Sequence, residues 1–158
     1  VAAQSQYEEL ARQLSAIGTV KRDLSRTLPQ DCPAGSTAVL SLLQRHGEMR
    51  ISRLAELLAV DMSVTSRHVA HVADRGWIDR QPDPLDGRSR LLSLNSDGQK
   101  MLQDISERYV ATLAATLREW SDDDLSQLNE LLARLHKSFD DRRPRVGEPG
   151  CDRTRRPE

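Results

Sequence analysis

Ser63, Ser66, Arg67 and His71 fall on one side of a helix of about 3.6 residues per turn running from Asp61 toward Gly76, with Val64 at the border of that side. Thr65, Val69 and Val72 fall on the other. The outer face is short, rich in hydroxyls and free of acids, which suits close entry into the major groove of DNA, where acidic side chains would be repelled by phosphate. On such a face Arg67 can donate two bonds to a guanine, His71 can donate to a base or a phosphate, and Val64 can meet a thymine methyl. A plain helical hairpin in an all-α protein is the alternative reading of the same segment. His68 and His71, three residues apart, also invite a zinc reading with His46 or Cys32, although no Cys-x-x-Cys or His-Glu-x-x-His spacing accompanies them.

The elements that must position these groups are legible around them. The stretch from Ile51 to Gly76 reads as two short helices joined by a tight turn, with Ser52 expected to cap the first and Asp61 the second. Leu54 and Leu58 repeat on one face of the first helix. Gly76 ends the second helix, and Trp77-Ile78-Asp79-Arg80 then reads as a strand entered by a large aromatic. DPLDGRSR makes a turn, Leu91 to Leu94 a second strand, and Met49-Arg50-Ile51 a short third one. A hairpin appended to a helix-turn-helix is a wing, and its tip is expected to carry Arg88 and Arg90 toward the DNA backbone or minor groove.

The sequence resembles the MarR family of bacterial winged-helix regulators. The resemblance rests on Val60-Asp61, the helix through Gly76, Trp77-Ile78-Asp79-Arg80, Asp83-Pro84, Asp86-Gly87-Arg88, and Leu94-Asn95 leading to Gly98. It covers the layout of roughly residues 5 to 140. Departures are Ala59 in place of the family's turn glycine, Asn95 in place of its Thr, and His68 and His71 where an aliphatic and an arginine are usual. The resemblance implies a wing arginine at Arg88 and an internal salt bridge from Asp86 that holds the wing in shape. It also implies a homodimer, more often a repressor, with a small anionic, often aromatic, ligand between the helical dimer region and the winged domain. Arg45, His46 and His68 lie on segments that could border that ligand. Some relatives of this kind sense oxidants through a cysteine in the first helix, whereas Cys32 stands just before the second, where the helix dipole would favour its thiolate.

At 158 residues the chain is long enough to bury one core, and with one Phe, two Tyr and two Trp that core must be mainly aliphatic. The net charge of −1 excludes a uniformly basic coat, so any phosphate-binding surface must be locally positive. Cys32 and Cys151 lie far apart and read as reduced thiols. No apolar run could span a bilayer, and VAAQSQYEEL lacks a signal pattern, which points to the cytoplasm. There is no phosphate loop or nucleophile elbow, and Asp122 to Asp124 are explained by a helix start, so neither catalysis nor a cofactor is expected.

The expected fold is mainly α with a small β wing. An N-terminal dimerisation helix (5–30) precedes a winged helix-turn-helix domain (33–95) and C-terminal dimerisation helices (96–140), with a disordered tail (141–158). The N-terminal stripe is Leu10, Leu14, Ile17, Leu24 and Leu28; the C-terminal helices are expected through Trp120 and, from a Ser121 cap, through Phe139. Such stripes have too few partners within one chain, which argues for a homodimer on double-stranded DNA. A redox- or metal-responsive regulator of the same fold, or a helical protein-interaction module, remain the alternatives.

Overall fold

The computed structural model describes residues 3–140; the segment 141–158, with the expected tail and Cys151, lies outside the described residues. The elements are α1 (Gln4–Ser25), α2 (Ala34–His46), β1 (Met49–Arg50), α3 (Ile51–Leu58), α4 (Met62–Asp74), β2 (Ile78–Asp83), β3 (Asp86–Leu94), α5 (Ser96–Thr116) and α6 (Asp122–Asp140). They divide between two compact units that part at Thr116 and Leu117.

In the first unit α2, α3 and α4 surround a core of Val39, Leu40, Leu43, Leu54, Val69 and Val72, closed by Trp77, just ahead of β2, and by Ile78 and Leu92 from the sheet. Pro33 stands at the N-cap of α2, one residue ahead of its expected first-turn place, and Gly47, at φ 78°, ends the helix. The core does not stop at residue 95. Leu102 and Ile105 of α5 belong to it, so the first half of that helix is part of the winged domain's packing.

Two caps differ from expectation. Helix α3 starts at Ile51, directly out of β1, which leaves Ser52 inside the helix rather than capping it. Asp61 does occupy the N-cap of α4, but its side chain makes no cap bond. Its carbonyl serves instead, accepting the N–H groups of Val64 at 3.1 Å and Thr65 at 3.0 Å. Between the two helices Ala59 takes a left-handed conformation, φ 54° and ψ 40°.

The sheet is antiparallel in the order β1-β3-β2, with Met49 opposite Leu92 and Ile78 opposite Leu94. The wing is longer than its sequence reading. Strand pairing runs out to Asp83 and Asp86, so the tip is Pro84-Leu85, and Arg88 and Arg90 lie within β3 rather than at the tip. The register jumps from Pro82–Arg90 to Asp83–Asp86, which leaves Gly87, Arg88 and Ser89 without partners on β2.

Asn95 caps α5 as expected. Its Oδ1 accepts the N–H groups of Asp97 at 3.1 Å and Gly98 at 3.0 Å, while its Nδ2 donates to the Gly76 carbonyl at 2.9 Å. A Cβ at position 98 would collide with the Trp77 carbonyl, so glycine lets α5 cross the root of the wing. The helix ends at Thr116, short of the expected Trp120, where a turn from Trp120 N–H to the Leu117 carbonyl closes at 2.9 Å. In the second unit Ser121 and Asp124 form a reciprocal capping box: each accepts the other's backbone N–H at the start of α6.

Helix α1 has no buried residue. Tyr7, Leu10, Leu14, Ile17 and Val20 are exposed along it, as are Leu128, Leu131 and Phe139 along α6.

Candidate nucleic-acid interface

Helix α4 is fixed from behind. Thr65, Val69 and Val72 are buried, and Thr65 also returns its hydroxyl to the Asp61 carbonyl at 3.2 Å. This inward face leaves Ser63, Ser66 and Arg67 exposed, with Val64 half-buried at their edge. His71 is a correction. Expected on the outer face, its ring instead turns toward α2, where Nδ1 lies 2.9 Å from the Ser36 hydroxyl, and meets Trp77 edge-on at 6.2 Å between centroids. The residue sits at the boundary of the two faces, and a half-polar ring finds both an apolar wall and a buried hydroxyl on the inner side.

The wing is braced from its root. Asp83, only 6% exposed, accepts Arg50 Nε at 2.6 Å and the Leu85 N–H at 2.8 Å. The Leu85 N–H, then the Arg50 guanidinium, hold the Asp83 carboxyl below the usual carboxylate range. Asp86 accepts the Ser89 hydroxyl at 2.7 Å and the Arg88 N–H at 3.2 Å, and these bonds likewise hold its carboxyl below the usual carboxylate range. Its own contact with Arg50 is long, at 3.9 Å. The tighter ion pair is therefore Arg50–Asp83, which sequence reading did not single out. With both wing acids engaged this way, Arg88 and Arg90 stand exposed.

A crevice of about 410 Å³ separates the start of α2 from α4, lined by Pro33, Ser36, Val64, Arg67, His68 and His71. Of the three residues expected to border a ligand, it contains His68 alone. Arg45 and His46 are exposed at the opposite end of α2, about 15 Å away along the helix axis. Gly35 makes the close approach possible, because a Cβ there would run into the His68 ring. Pro33 and Ser36 were missed; the signal available was the run of small residues Ala34-Gly35-Ser36 opposite two histidines.

Cys32 is fully buried with Sγ 3.5 Å from the Thr37 hydroxyl. Burial, the largest influence on it, pushes its thiol up, opposite to the dipole effect expected from its place before α2. Neither Cys32, turned to Thr37, nor His46, at the far end of α2, supplies a third ligand to His68 and His71. Among the described residues no three His, Cys, Asp or Glu side chains gather.

This arrangement has counterparts. The sequence model of the MarR family matches residues 34–89, which run from the start of α2 into the wing. The uncharacterized HTH-type transcriptional regulator YxaD of Bacillus subtilis is 32% identical over 106 residues, covering 67% of this chain and 74% of that protein. The chain belongs to the MarR family. The multiple antibiotic resistance protein MarR of Salmonella typhimurium is 28% identical over 108 residues, 68% of this chain and 75% of that protein. Among solved structures, RV1404 from Mycobacterium tuberculosis superposes with a TM-score of 0.73 at 21% identity, covering 88% of this chain and 97% of that one. A mutant MarR from E. coli complexed with operator DNA superposes with a TM-score of 0.59 at 22% identity, covering 82% and 96%. These likenesses establish the winged helix-turn-helix fold of the MarR family for this chain.

Proposed function

We propose that this MarR-family chain is a transcriptional regulator that represses by binding a pseudo-palindromic operator as a homodimer and lets go when a small anionic, aromatic ligand binds. The observation that carries the DNA reading is the acid-free exposed face of α4, Ser63, Ser66 and Arg67, next to a wing whose Arg88 and Arg90 stand clear of its braced acids. Serines and one arginine read base edges; wing arginines engage the backbone or the minor groove. Exposed apolar residues along α1 support the dimer, which would set two copies of α4 about 34 Å apart, one turn of DNA. No helix among the described residues is long and apolar enough to cross a membrane, in keeping with a partner that is DNA.

The crevice against α4 is the candidate effector site. Pro33 and Val64 offer apolar walls to a ring, and Arg67, His68 and His71 offer basic groups to an anion. Arg67 belongs to both surfaces. A ligand that holds its guanidinium in the crevice withdraws it from the DNA face, so ligand and operator weaken each other by the same factor.

Fluorescence anisotropy of the full chain on the DNA upstream of its own gene, across a salt series, tests the reading. Expected is binding that prefers a pseudo-palindrome over random duplex, two protomers per site, with the logarithm of affinity falling linearly with log salt. No binding to any duplex at low salt would overturn it in favour of a helical protein-interaction module, whose apolar contacts would change little with salt.

A further inference from the structure

The tip of the wing carries an apolar side chain that packs on almost nothing. Leu85 is 93% exposed, well beyond Val110 at 62%, the next among the large apolar residues described. Tyr7, Leu10, Leu14, Ile17 and Val20 form the stripe of α1 that a second copy would cover, but Leu85 belongs to no stripe and stands alone between the paired ends of β2 and β3. Its backbone, in contrast, is pinned. The Pro84 ring fixes the φ of the residue before it. The Leu85 N–H donates to Asp83 Oδ1 at 2.8 Å, and Asp83 in turn accepts Arg50 Nε at 2.6 Å. On the other side Asp86 accepts the Arg88 N–H and the Ser89 hydroxyl. Both acids beside the tip are thus engaged by the wing itself, and the exposed charges of β3 are Arg88 and Arg90. An apolar side chain on a fixed backbone, with cations behind it, suits a polyanion that also has an apolar interior.

We propose that Leu85 is a wedge: its side chain enters the minor groove beside the major-groove site of α4 and presses into a base step there, so that the wing selects operators by how easily that step opens. This rests on the reading of the chain as an operator-binding regulator. Leucine has no donor or acceptor and cannot read the hydrogen-bond pattern of a groove. It can meet sugars and the faces of partly unstacked bases, as the apolar wedges of minor-groove proteins do. Opening a step costs least at pyrimidine–purine steps (TA, CA or TG) and more in stiff A-tracts, so a wedge turns deformability into sequence preference at positions that no polar side chain contacts. The pinned tip lowers the ordering cost of insertion, and Arg88 and Arg90 hold the phosphates on either side against the strain.

The full chain is first used to select duplexes from a random library, which supplies the probe. Within the selected duplex 2-aminopurine, whose fluorescence rises when it is unstacked, is placed in turn at each step flanking the α4 site. Wild type should brighten it at one flanking step per half-site, Leu85→Met should keep that signal, and Leu85→Ala should lose it. Replacing that step by an A-tract should weaken wild type roughly 5- to 150-fold and Leu85→Ala by about twofold or less. The salt slope should be the same for all three proteins, because no charge is removed. Leu85 is exposed, so the variants keep their fold, which their melting temperatures verify. No brightening at any flanking step, or an A-tract penalty unchanged in Leu85→Ala, would overturn the wedge while leaving the operator-binding reading intact, and would turn Leu85 toward a protein partner. A library from which the chain enriches no sequence, with no binding to any duplex at low salt, would overturn the operator-binding reading itself and the wedge with it.

Discussion

The Ser36 hydroxyl lies 2.9 Å from Nδ1 of His71, tying the first turn of α2 to the last turns of α4. Ser36 is fully buried. Truncating His71 removes both that bond and the edge-on contact with Trp77, leaving a buried hydroxyl to find another partner. His71→Ala is therefore expected to cost about 1–3 kcal/mol of stability. His71→Asn, which can still meet the hydroxyl, should recover part of it. Urea denaturation of the three proteins measures this; an unchanged midpoint for His71→Ala would return the residue to the DNA face where its sequence position first put it.

Arg67 and Arg88 are expected to differ in kind. Arg67 stands on the exposed face of α4, Arg88 on the unpaired stretch of β3. Arg67→Ala should weaken operator binding and relax preference at one base pair by roughly 1–3 kcal/mol, while Arg88→Ala should weaken binding to every duplex and lower the salt slope by about one. Equal losses for Arg67→Ala on operator and random duplex would rule it out as a base reader.

Why some of this could be read from sequence and some could not is visible at particular residues. Periodicity located α2, α4 and the core residues Val69 and Val72, because burial along a helix is a local pattern. Asn95 and Ser121 could be named as caps because the groups they satisfy lie within three residues. Arg50–Asp83 joins positions 33 apart, and Ser36–His71 joins positions 35 apart; nothing local marks either pair. The wing's length was misjudged because Pro82 and Gly87 punctuate it, yet the first lies within β2 and the second where β3 bulges away from it. Arg45 and His46 do lie on the helix that borders the crevice, but at its C-terminal end, whereas the crevice opens at its start.

The wing brace should answer to pH in one direction. Because the Leu85 N–H and Arg50 lower the Asp83 pKa in the folded chain, the carboxylate's contribution is complete above its unfolded value, about 3.9, and is lost as pH falls through the lower folded value. The amide resonance of Leu85, which donates to Asp83 Oδ1, is the reporter. It should stay constant from neutral pH to about pH 4 and move only below that. Asp83→Asn should abolish the shift and weaken DNA binding on all sequences, since the wing loses its hold on Arg50. A Leu85 resonance that titrates above pH 4, or not at all, would show that Asp83 does not brace the tip.

The turn between α3 and α4 stores strain at Ala59. Among the described residues it is the single non-glycine at positive φ, 54°, and it stands at the C-cap of α3, where the backbone must reverse. A methyl group in the left-handed region costs about 1–2 kcal/mol. Glycine removes that cost and gives back about 0.4–1 kcal/mol through a freer unfolded chain, so Ala59→Gly should stabilise the protein by about 0.5–1 kcal/mol. That corresponds to a rise in melting temperature of about 1–4 °C. Ala59 is exposed and its change leaves α4 in place, so operator affinity should hold within twofold, about 0.4 kcal/mol. A fall in melting temperature would mean that the Ala59 methyl contributes packing that outweighs its strain; a gain in stability with weakened operator binding would mean that the strained turn helps set the angle at which α4 meets DNA.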